Sequence, residues 1–394
     1  MVIGVLADPT SMPMRSVENL ELFVGGRLTI DLAAIRANYR LISQRIRPAV
    51  AAAVVKANAY GLGASRVAPA LYGEGCHQFF VAHLSEAADL RPSLPQDVQI
   101  YVLNGLQPGA EAACLLAGAR PVLNSLDQIA AWSKLAAARG EALPAAVQVD
   151  TGMSRLGLSA CEVDEALACP ARLAGVEPTL LMSHLACADE PANAANREQL
   201  TLFRAMAERL PGAKLSLANS GGAFLGVEYH FDVARPGVAL YGFNPIEECD
   251  AVMAPVVRLE ATVIQLREVP AGTGVGYGLA HRSAGPARLA TIAVGYADGW
   301  RRRLGDRGSA YFNGVRLPIV GRVSMDSITL DVSALAPDVL RPGCRVELIG
   351  PNQTLEQVAA DADTIAYEIL TSLGPRFHRV YVDRDLTPNE SDAS

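Results

Sequence analysis

The stretch AVVKANAYG, residues 53–61, begins as a run of small and β-branched apolar residues and then places Lys56 and Tyr60 close together. A short apolar run of this kind predicts a buried strand that ends just before the lysine. The chain has only two other lysines, Lys134 and Lys214, so lysine is rare in it. A rare amine at the end of a buried strand indicates that the amine has a chemical task.

Seven further apolar runs alternate with amphipathic helical patterns as far as about residue 245. Helices are expected to start after the capping residues Asp31, Ser85 and Ser125. Strands that alternate with helices predict a parallel sheet, and eight such units predict a (β/α)8 barrel of the TIM type. A doubly wound open sheet is the structural alternative. The eight candidate strands are residues 50–55, 78–81, 99–103, 120–123, 146–150, 179–183, 214–218 and 231–234.

The last third of the chain has a different pattern. Short β-rich runs are separated by glycine and proline, with one predicted helix at residues 361–373, which indicates a separate, mostly β domain. We expect the barrel over residues 27–250 and the β domain over residues 251–385. Residues 1–26 are a candidate to pack on the β domain, and the tail at 386–394 is expected to be disordered.

The composition argues against several classes of protein. The net charge of −7 does not suit a nucleic-acid binder, and no apolar stretch reaches the ~20 residues that cross a bilayer. The seven cysteines are scattered without CxxC spacing, which is typical of reduced thiols in a cytoplasmic protein. The histidines form no HxxxH or HxH pair, so no metal site is expected.

In a barrel the functional site lies at the carboxyl ends of the strands. The loops after the last two strands, the usual phosphate site of such barrels, offer the hydroxyl of Ser220 and several glycines whose N–H groups are open to an anion. A lysine that faces a phosphate site predicts pyridoxal 5′-phosphate held as a Schiff base. The alternative is that Lys56 is an ordinary lysine at a strand end. The residues expected at this end of the barrel are Lys56, Tyr60, Arg155, His184, Asn219, Ser220, Arg235 and Gly237.

A series of motifs makes the chain similar to bacterial alanine racemases over residues 27–383. The resemblance implies an N-terminal (β/α)8 barrel that binds pyridoxal 5′-phosphate, a C-terminal β domain, and a homodimer with shared active sites. It also implies racemisation of alanine, with D-alanine supplied for peptidoglycan. The motifs, in order, are AVVKANAYG, VDTGMSRLG, SHLACADE, ANSGG, ARPGVALYG, VGYG, VGYADG and GRVSMD.

The resemblance also implies roles for individual residues. Racemisation removes the α-proton from one face of an amino acid and returns a proton to the other, which two bases on opposite faces achieve directly. By resemblance these bases are Lys56 and, from the partner subunit, Tyr277. The residues implied to bind the cofactor are Lys56, Tyr60, His184, Asn219, Ser220, Arg235 and Gly237; those implied to bind the substrate are Arg155, Met325 and Tyr277; and those implied to line the access channel are Tyr296 and Asp326.

These roles make demands on charge. A lysine and a tyrosine serve as bases only if their pKa values lie below the usual ~10.4 and ~10. Burial and neighbouring cations lower the pKa of a lysine. Arg235 matches a residue that faces the pyridine nitrogen, where a permanent cation keeps that nitrogen unprotonated. His184 matches a residue that links Arg235 with Tyr277.

Two positions depart from the family pattern. Many members have a carbamylated lysine where this chain has Gln148, so a negative partner for Arg155 is missing. A bound anion such as chloride, or the side-chain oxygen of Gln148, is expected to take its place. Spacing from Tyr367 and Glu368 puts Pro375 where many members carry a phosphate-binding tyrosine. This predicts either a wider gate, open to amino acids larger than alanine, or a shift in the alignment.

Other functions stay open on the sequence. A broad-specificity or serine racemase would share the mechanism and change only the substrate. A pyridoxal phosphate-dependent amino acid decarboxylase would need motifs such as a reactive cysteine in an acidic loop, which the segment 321–332 lacks. A non-catalytic carrier of pyridoxal phosphate would end near residue 245, without the β domain.

Overall fold

The computed structural model describes residues 24–246 and 252–383. Residues 1–23 and the predicted tail at 386–394 lie outside that part of the chain. Within it, no helix is both long enough and apolar enough to cross a membrane. The same ranges contain no group of three or more histidine, cysteine, aspartate or glutamate side chains that could hold a metal ion.

The chain divides into two compact units, which we call the barrel unit and the β unit. Of the described residues, the barrel unit comprises 30–246, 252–257, 366–371 and 381–383, and the β unit comprises 24–29, 258–365 and 372–380.

A ring of parallel strands forms the barrel unit. Its strands are β2 (Val50–Ala51), β3 (Ala53–Val54), β4 (Gln78–Val81), β5 (Gln99–Val102), β6 (Ala119–Leu123), β7 (Leu143–Gln148), β8 (Val176–Met182), β9 (Lys214–Ser216) and β10 (Val233–Ala234). Strands β3 to β9 pair in sequence order, and β10 pairs with β2, which runs on into β3. The N–H groups of Asp232 and Arg235 donate to the carbonyls of Leu215 and Ala218 at 3.0 and 2.8 Å. These bonds join β10 to β9, and the predicted barrel is confirmed.

Helices occupy the connections between these strands. They are α1 (Leu32–Arg45), α2 (Lys56–Tyr60), α3 (Ala64–Gly73), α4 (Leu84–Leu90), α5 (Glu111–Leu116), α6 (Leu126–Arg139), α7 (Ala160–Ala168), α8 (Ala194–Arg209) and α9 (Gly222–Leu225). As predicted, Asp31 and Ser125 cap α1 and α6 through hydrogen bonds of 2.9 and 3.3 Å from backbone N–H groups one turn on. The prediction for Ser85 is wrong, since α4 starts before it and the carboxylate of Glu86 accepts the N–H of His83 instead.

Apolar side chains fill the inside of the ring. The rings of Phe80 and Tyr101, from adjacent strands, stack with their centroids 4.9 Å apart. Burial of such surface, at ~25 cal/mol per Å², is the main favourable term in folding. A filled interior leaves the strand ends as the place for a ligand. The buried cluster consists of Ala52, Val54, Phe80, Tyr101, Val122, Ala146, Leu180, Met182 and Val233.

The β unit is built on one large sheet and a separate hairpin. Its strands are β1 (Gly26–Asp31), β11 (Val257–Val269), β12 (Gly274–Val275), β13 (His281–Arg282), β14 (Ala287–Ile292), β15 (Ser309–Phe312), β16 (Val315–Pro318), β17 (Ile328–Asp331), β18 (Arg345–Ile349) and β19 (His378–Val382). The order in the sheet is β16-β15-β18-β11-β1-β19, and β14 pairs with both β11 and β17. Strands β12 and β13 pair with each other and form the hairpin. The prediction of a mostly β unit after the barrel is confirmed.

The single helix predicted at residues 361–373 is wrong. The structure has two helices there, α10 (Leu355–Ala362) and α11 (Ala366–Ser372). Asp363 adopts a left-handed backbone with φ 56° and ends α10. The apolar pattern continues across this break, which is why the sequence reads as one helix.

Candidate active site

Lys56 follows the first strand of the ring and opens a turn with an uncommon backbone. Ala57, Asn58, Ala59 and Tyr60 all have φ between 53° and 55°, in the left-handed region. This region costs an L-residue about 1–2 kcal/mol, so four such residues in a row need support from their surroundings. None of the four is glycine, and the sequence therefore does not predict the turn.

Hydrogen bonds hold this left-handed turn. The N–H of Ala57 donates to Oε1 of Glu86 at 2.6 Å. The N–H of Gly63 donates to the carbonyl of Asn58 at 2.9 Å, and the side-chain oxygen of Asn58 accepts the N–H of Ala64 at 2.8 Å. The direction in which the lysine leaves its strand is thus set by contacts on both sides of the turn.

The amine of Lys56 is half-buried and lies among charged groups. Burial and the positive charge of Arg155 lower the pKa of Lys56, while the negative charge of Glu86 opposes that change. The net shift favours the neutral amine, which is the form that attacks a carbonyl or accepts a proton.

His184, after β8, lies in the field of three cations. Burial and the charges of Arg235, Arg155 and Lys56 lower the pKa of His184 to about 3. The imidazole is therefore neutral at neutral pH. Within the described residues no hydrogen bond joins this imidazole to Arg235, although the charge of Arg235 acts on it. A link from His184 to Tyr277 stays a prediction.

Arg235 is buried at the end of β10 and is held by the ends of β8 and β9. Its Nη2 donates to the carbonyls of Ser183 and Leu217 at 2.5 and 3.4 Å, and its Nη1 donates to the hydroxyl of Ser216. Burial lowers the pKa of Arg235 to about 9, so the guanidinium stays charged at neutral pH. The guanidinium is therefore a fixed cation inside the barrel unit, and that it faces a pyridine nitrogen stays a prediction.

Ser220, Gly237 and Tyr60 come together at the predicted phosphate site. The hydroxyl oxygen of Ser220 accepts the N–H groups of Gly237 and Ala239 at 2.9 and 3.3 Å, which leaves its own proton for another acceptor. A Cβ at Gly237 would lie 2.6 Å from the phenol oxygen of Tyr60, so a side chain there would displace that phenol. Burial raises the pKa of Tyr60, which keeps its phenol protonated and able to donate to an anion.

A second tyrosine lies close to Tyr60. Besides burial, the charge of Tyr367 on α11 raises the pKa of Tyr60, and the Tyr367 ring meets that of Phe243 edge-on at 5.6 Å. Pro375 lies on an exposed turn of the β unit instead. The structure therefore supports a shift in the alignment, and a tyrosine does stand beside the candidate phosphate ligands.

Gln148 does not support Arg155. Its amide nitrogen donates to the carbonyl of Leu156 at 3.0 Å. Across residues 24–246 and 252–383, no hydrogen bond or ion pair reaches the side chain of Arg155, which is exposed. The expectation that the oxygen of Gln148 holds Arg155 is therefore not met.

Asn219 is turned partly away from the site. Its side-chain oxygen accepts the N–H of Gly222 at 2.9 Å and so starts α9. The amide nitrogen of Asn219 makes no hydrogen bond within the described residues and can donate to a ligand.

Gln199 on α8 is a supporting residue that the sequence reasoning missed. Its side chain is buried, with 2% of its surface exposed. Its amide nitrogen donates to the carbonyl of His184 at 2.9 Å and the hydroxyl of Thr151 at 3.2 Å, and its oxygen accepts the N–H of Ala186 at 2.8 Å. The residue thus ties together the loops after β7 and β8. A glutamine on the apolar face of an amphipathic helix is the signal that could have found it.

The predicted residues of the β unit lie on exposed loops. Tyr277, in the turn between β12 and β13, is 69% exposed, and Met325 and Tyr296 are 52% and 43% exposed. Gly278 lies so close to Arg322 that a Cβ would be 3.2 Å from its guanidinium, which places the hairpin beside the loop that carries Met325. Exposed apolar side chains on neighbouring loops are typical of a surface that meets another protein.

Asp326 is held by an arginine. Nη1 of Arg376 donates to Asp326 at 2.7 Å, while Nε and Nη2 of Arg376 bind both oxygens of Asp298 at 2.7 and 2.8 Å. The two carboxylates raise the pKa of Arg376. These ion pairs fix the loop that carries Tyr296 and the loop that carries Met325.

The residues at the strand ends fit pyridoxal 5′-phosphate. Its aldehyde needs a neutral amine, which the lowered pKa of Lys56 favours. Its phosphate needs donors, and the protonated phenol of Tyr60 and the free hydroxyl proton of Ser220 lie next to a glycine that leaves no side chain in the way. Arg235 offers a buried cation that would face the ring nitrogen of the cofactor.

Two family models match the chain. The N-terminal domain of alanine racemase matches residues 30–245, and the C-terminal domain of alanine racemase matches residues 256–381. These ranges correspond to the barrel and to the β-rich part of the chain.

Individual relatives agree with the family models. An alanine racemase of Brucella canis is 56% identical, over 94% of this chain and 97% of the relative, and a catabolic alanine racemase of Agrobacterium fabrum is 53% identical, over 94% and 95%. The crystal structure of alanine racemase from Bartonella henselae, with covalently bound pyridoxal phosphate, superposes with a TM-score of 0.88. Its sequence is 46% identical, and the match covers 91% of this chain and 99% of that one. The chain therefore belongs to the alanine racemase family of pyridoxal phosphate-dependent isomerases.

Proposed function

We propose that this chain interconverts L-alanine and D-alanine with pyridoxal 5′-phosphate bound at the carboxyl ends of the barrel strands. The observation that carries the proposal is Lys56, which lies at the end of the first strand. Burial and the charge of Arg155 lower the pKa of its amine. When bound, the cofactor withdraws electrons from the α-carbon of the amino acid, so that its α-proton can be removed. In this proposal residues 27–250 form the cofactor-binding barrel and residues 251–385 form the β domain.

Lys56 holds the cofactor and acts as the base on one face of the substrate. In one direction its Nζ accepts the α-proton of one enantiomer. In the reverse direction it returns a proton to the same face, and that enantiomer forms again. The left-handed turn that starts at Ala57 supports this role, because it fixes the direction of the amine.

Tyr277 of the partner subunit acts as the base on the opposite face. This role requires a homodimer, in which the β unit of one subunit completes the barrel site of the other. In a single chain the side chain of Tyr277 is 69% exposed. This supports the proposal, because a catalytic base works in a site from which water is excluded, and a second subunit would cover the phenol.

The cofactor is held at both ends by residues of the barrel. Arg235 faces the ring nitrogen, with His184 close by as a neutral imidazole. The phosphate is bound by Tyr60, Ser220, Gly237, Asn219 and, as an addition to the sequence-based set, Tyr367. The hydrogen bond from the N–H of Gly237 to the hydroxyl of Ser220 supports this assignment, since it orients the hydroxyl proton away from the backbone.

The substrate carboxylate is bound by Arg155 together with Met325 of the partner subunit. Tyr296 and Asp326 line the channel through which alanine reaches the site. The ion pair from Arg376 to Asp326 supports an ordered channel wall, because it ties this carboxylate to a neighbouring loop.

In the cell the chain supplies D-alanine for peptidoglycan, in the cytoplasm. Breakdown of D-alanine is the second candidate role, because one relative at 53% identity is named a catabolic alanine racemase.

The test is a racemisation assay with each L-amino acid in turn, with the enantiomers separated by chiral chromatography. D-alanine as the dominant product supports the proposal. Comparable turnover of serine, lysine or arginine would make the chain a broad-specificity or serine racemase. Release of carbon dioxide would indicate a decarboxylase, and pyridoxal phosphate bound without any turnover would indicate a carrier.

A further inference from the structure

Glu86 makes more contacts than the start of a helix requires. Its Oε2 accepts the N–H groups of Ala82 and His83 at 2.7 and 3.0 Å, at the start of α4. Its Oε1 is directed elsewhere and accepts the N–H of Ala57 at 2.6 Å. One carboxylate thus joins the end of β4 to the turn that follows Lys56.

Glu162 shows what a capping glutamate does by itself. At the start of α7 its Oε2 accepts both the N–H and the hydroxyl of Ser159 at 2.8 Å. In the described part of the chain its side chain reaches no other loop. The contact between Glu86 and Ala57 is therefore an addition to helix capping, and it needs an explanation.

We propose that Glu86 is a positioning residue for Lys56: its carboxylate fixes the left-handed turn at Ala57, and its negative charge balances the cations around the amine. The inference rests on the proposed catalytic role of Lys56. It adds a residue from α4 to the site, which none of the family motifs quoted above contains.

The geometry explains why a carboxylate is needed. Ala57 lies in the first turn of α2 (Lys56–Tyr60), where an N–H group has no partner within the helix and needs another acceptor. A carboxylate has two oxygens that accept only, and it can therefore serve Ala57 and the start of α4 together. Glutamine has one accepting oxygen, so it can serve one side or the other.

The charge of Glu86 acts on Lys56 in the opposite sense to its other neighbours. Three groups face the amine: Arg155 from the loop after β7, His184 from the loop after β8, and Glu86 from α4. His184 is neutral at neutral pH. Glu86 thus opposes burial and Arg155, and its removal shifts the amine further toward the neutral form.

The experiment measures how fast the full-length protein, freed of cofactor, takes up pyridoxal 5′-phosphate between pH 6 and pH 10. Uptake is followed by the absorbance of the lysine-bound cofactor, so it requires the neutral amine of Lys56 and does not depend on turnover. The variants are Glu86→Gln, Glu86→Asp and Arg155→Gln, with Glu162→Gln as the matched capping control. Thermal unfolding is recorded for each.

For Glu86→Gln we expect uptake at least about tenfold slower at neutral pH, since one charge-assisted hydrogen bond is lost, and a midpoint of the pH curve below that of the unchanged protein. Arg155→Gln moves the midpoint up, because a cation near the amine is removed. Glu86→Asp keeps the charge but shortens the reach, so it slows uptake and leaves the midpoint in place. Glu162→Gln changes neither quantity.

A Glu86→Gln protein with an unmoved midpoint, or one that behaves like Glu162→Gln, overturns the inference. The proposed function fails in a different way: Lys56→Ala would then still acquire the absorbance of covalently bound cofactor. The two failures can therefore be told apart in the same set of measurements.

Discussion

Nη2 of Arg235 donates to the backbone carbonyl of Ser183 at 2.5 Å, across the ends of two strands that are 52 residues apart in the chain. The acceptor is a backbone carbonyl oxygen, so a substitution of the Ser183 side chain does not remove this contact to the buried cation. Nη1 binds Ser216 from the strand between them. The guanidinium is therefore part of the barrel wall and at the same time part of the candidate site.

Arg235→Lys is expected to lower both stability and activity. A lysine keeps the positive charge. Its single nitrogen cannot replace the two guanidinium nitrogens of Arg235, which donate to three separate oxygens. Each buried group left unpaired costs about 1–3 kcal/mol of unfolding free energy. Racemisation should fall by at least about tenfold, because the cation loses its fixed position. Chemical denaturation and the chiral assay measure the two effects.

Arg91→Lys is the matched control for this change. Arg91 is also buried, with 9% of its surface exposed, and it also donates to three carbonyls, those of Val98, Leu94 and Pro95. It lies at the amino end of β5, away from the candidate site. A similar loss of stability with unchanged activity is expected for Arg91→Lys, and equal losses of activity in both variants would contradict a specific role for Arg235.

Lys56→Ala is expected to abolish covalent attachment of the cofactor and the activity together. Loss of a base alone costs ~10²–10⁴-fold in rate, and here the attachment site is lost as well. The absorbance spectrum of the purified protein and the chiral assay give the result. Lys134→Ala, on the exposed face of α6, serves as the control and should leave both unchanged. Activity retained in Lys56→Ala would mean that another residue carries the cofactor.

The positions of the strands could be predicted from the sequence for a physical reason. Inward-facing residues of a parallel barrel are buried, so each strand appears as a short apolar run, and the runs at 78–81 and 99–103 match β4 and β5 within one residue. Residues directly after a strand, such as Lys56 and Arg235, follow from that placement. A local pattern was sufficient because both the strand and the side chain after it are local.

Other parts of the site depend on contacts between distant residues. Glu86 and Ala57 are 29 residues apart, and nothing in either segment shows that they meet. Tyr367 is brought to Tyr60 by α11, which follows most of the β-rich segment, so counting along the chain pointed to Pro375 instead. Tertiary contacts decide these positions, and a single sequence does not contain them in readable form.

Gln199→Leu is expected to reduce activity as well as stability. The change leaves the carbonyl of His184, the hydroxyl of Thr151 and the N–H of Ala186 without their partner, at about 1–3 kcal/mol for each group that stays unpaired. The loops after β7 and β8 then lose their common anchor. We expect kcat to fall and KM to rise, since the loops that move carry His184, which lies beside Arg235, and Arg155, the proposed ligand of the substrate carboxylate.

Gln128→Leu is the control for Gln199→Leu. Gln128, on α6, bridges the loops after β5 and β6 in the same way: its amide nitrogen donates to the carbonyls of Asn104 and Leu106, and its oxygen accepts the N–H of Asn124. Those loops carry none of the candidate residues. A lower unfolding midpoint with unchanged kcat is expected, and a fall in kcat equal to that of Gln199→Leu would show that any loss of a loop anchor has this effect.

Mixed dimers test whether two subunits share each site. Lys56→Ala and Tyr277→Phe should each be nearly inactive, with Tyr277→Phe reduced by ~10²–10⁴-fold because one general acid–base group is lost. If the two inactive proteins are dissociated, mixed and reassociated, a hybrid dimer has one site with both changes and one site with neither. Random pairing in a symmetric dimer makes about half of the dimers hybrids, so about a quarter of the original activity should return. If each site were formed within one chain, every site in a hybrid would carry a change and no activity would return; recovery therefore depends on Tyr277 reaching the Lys56 of the other subunit.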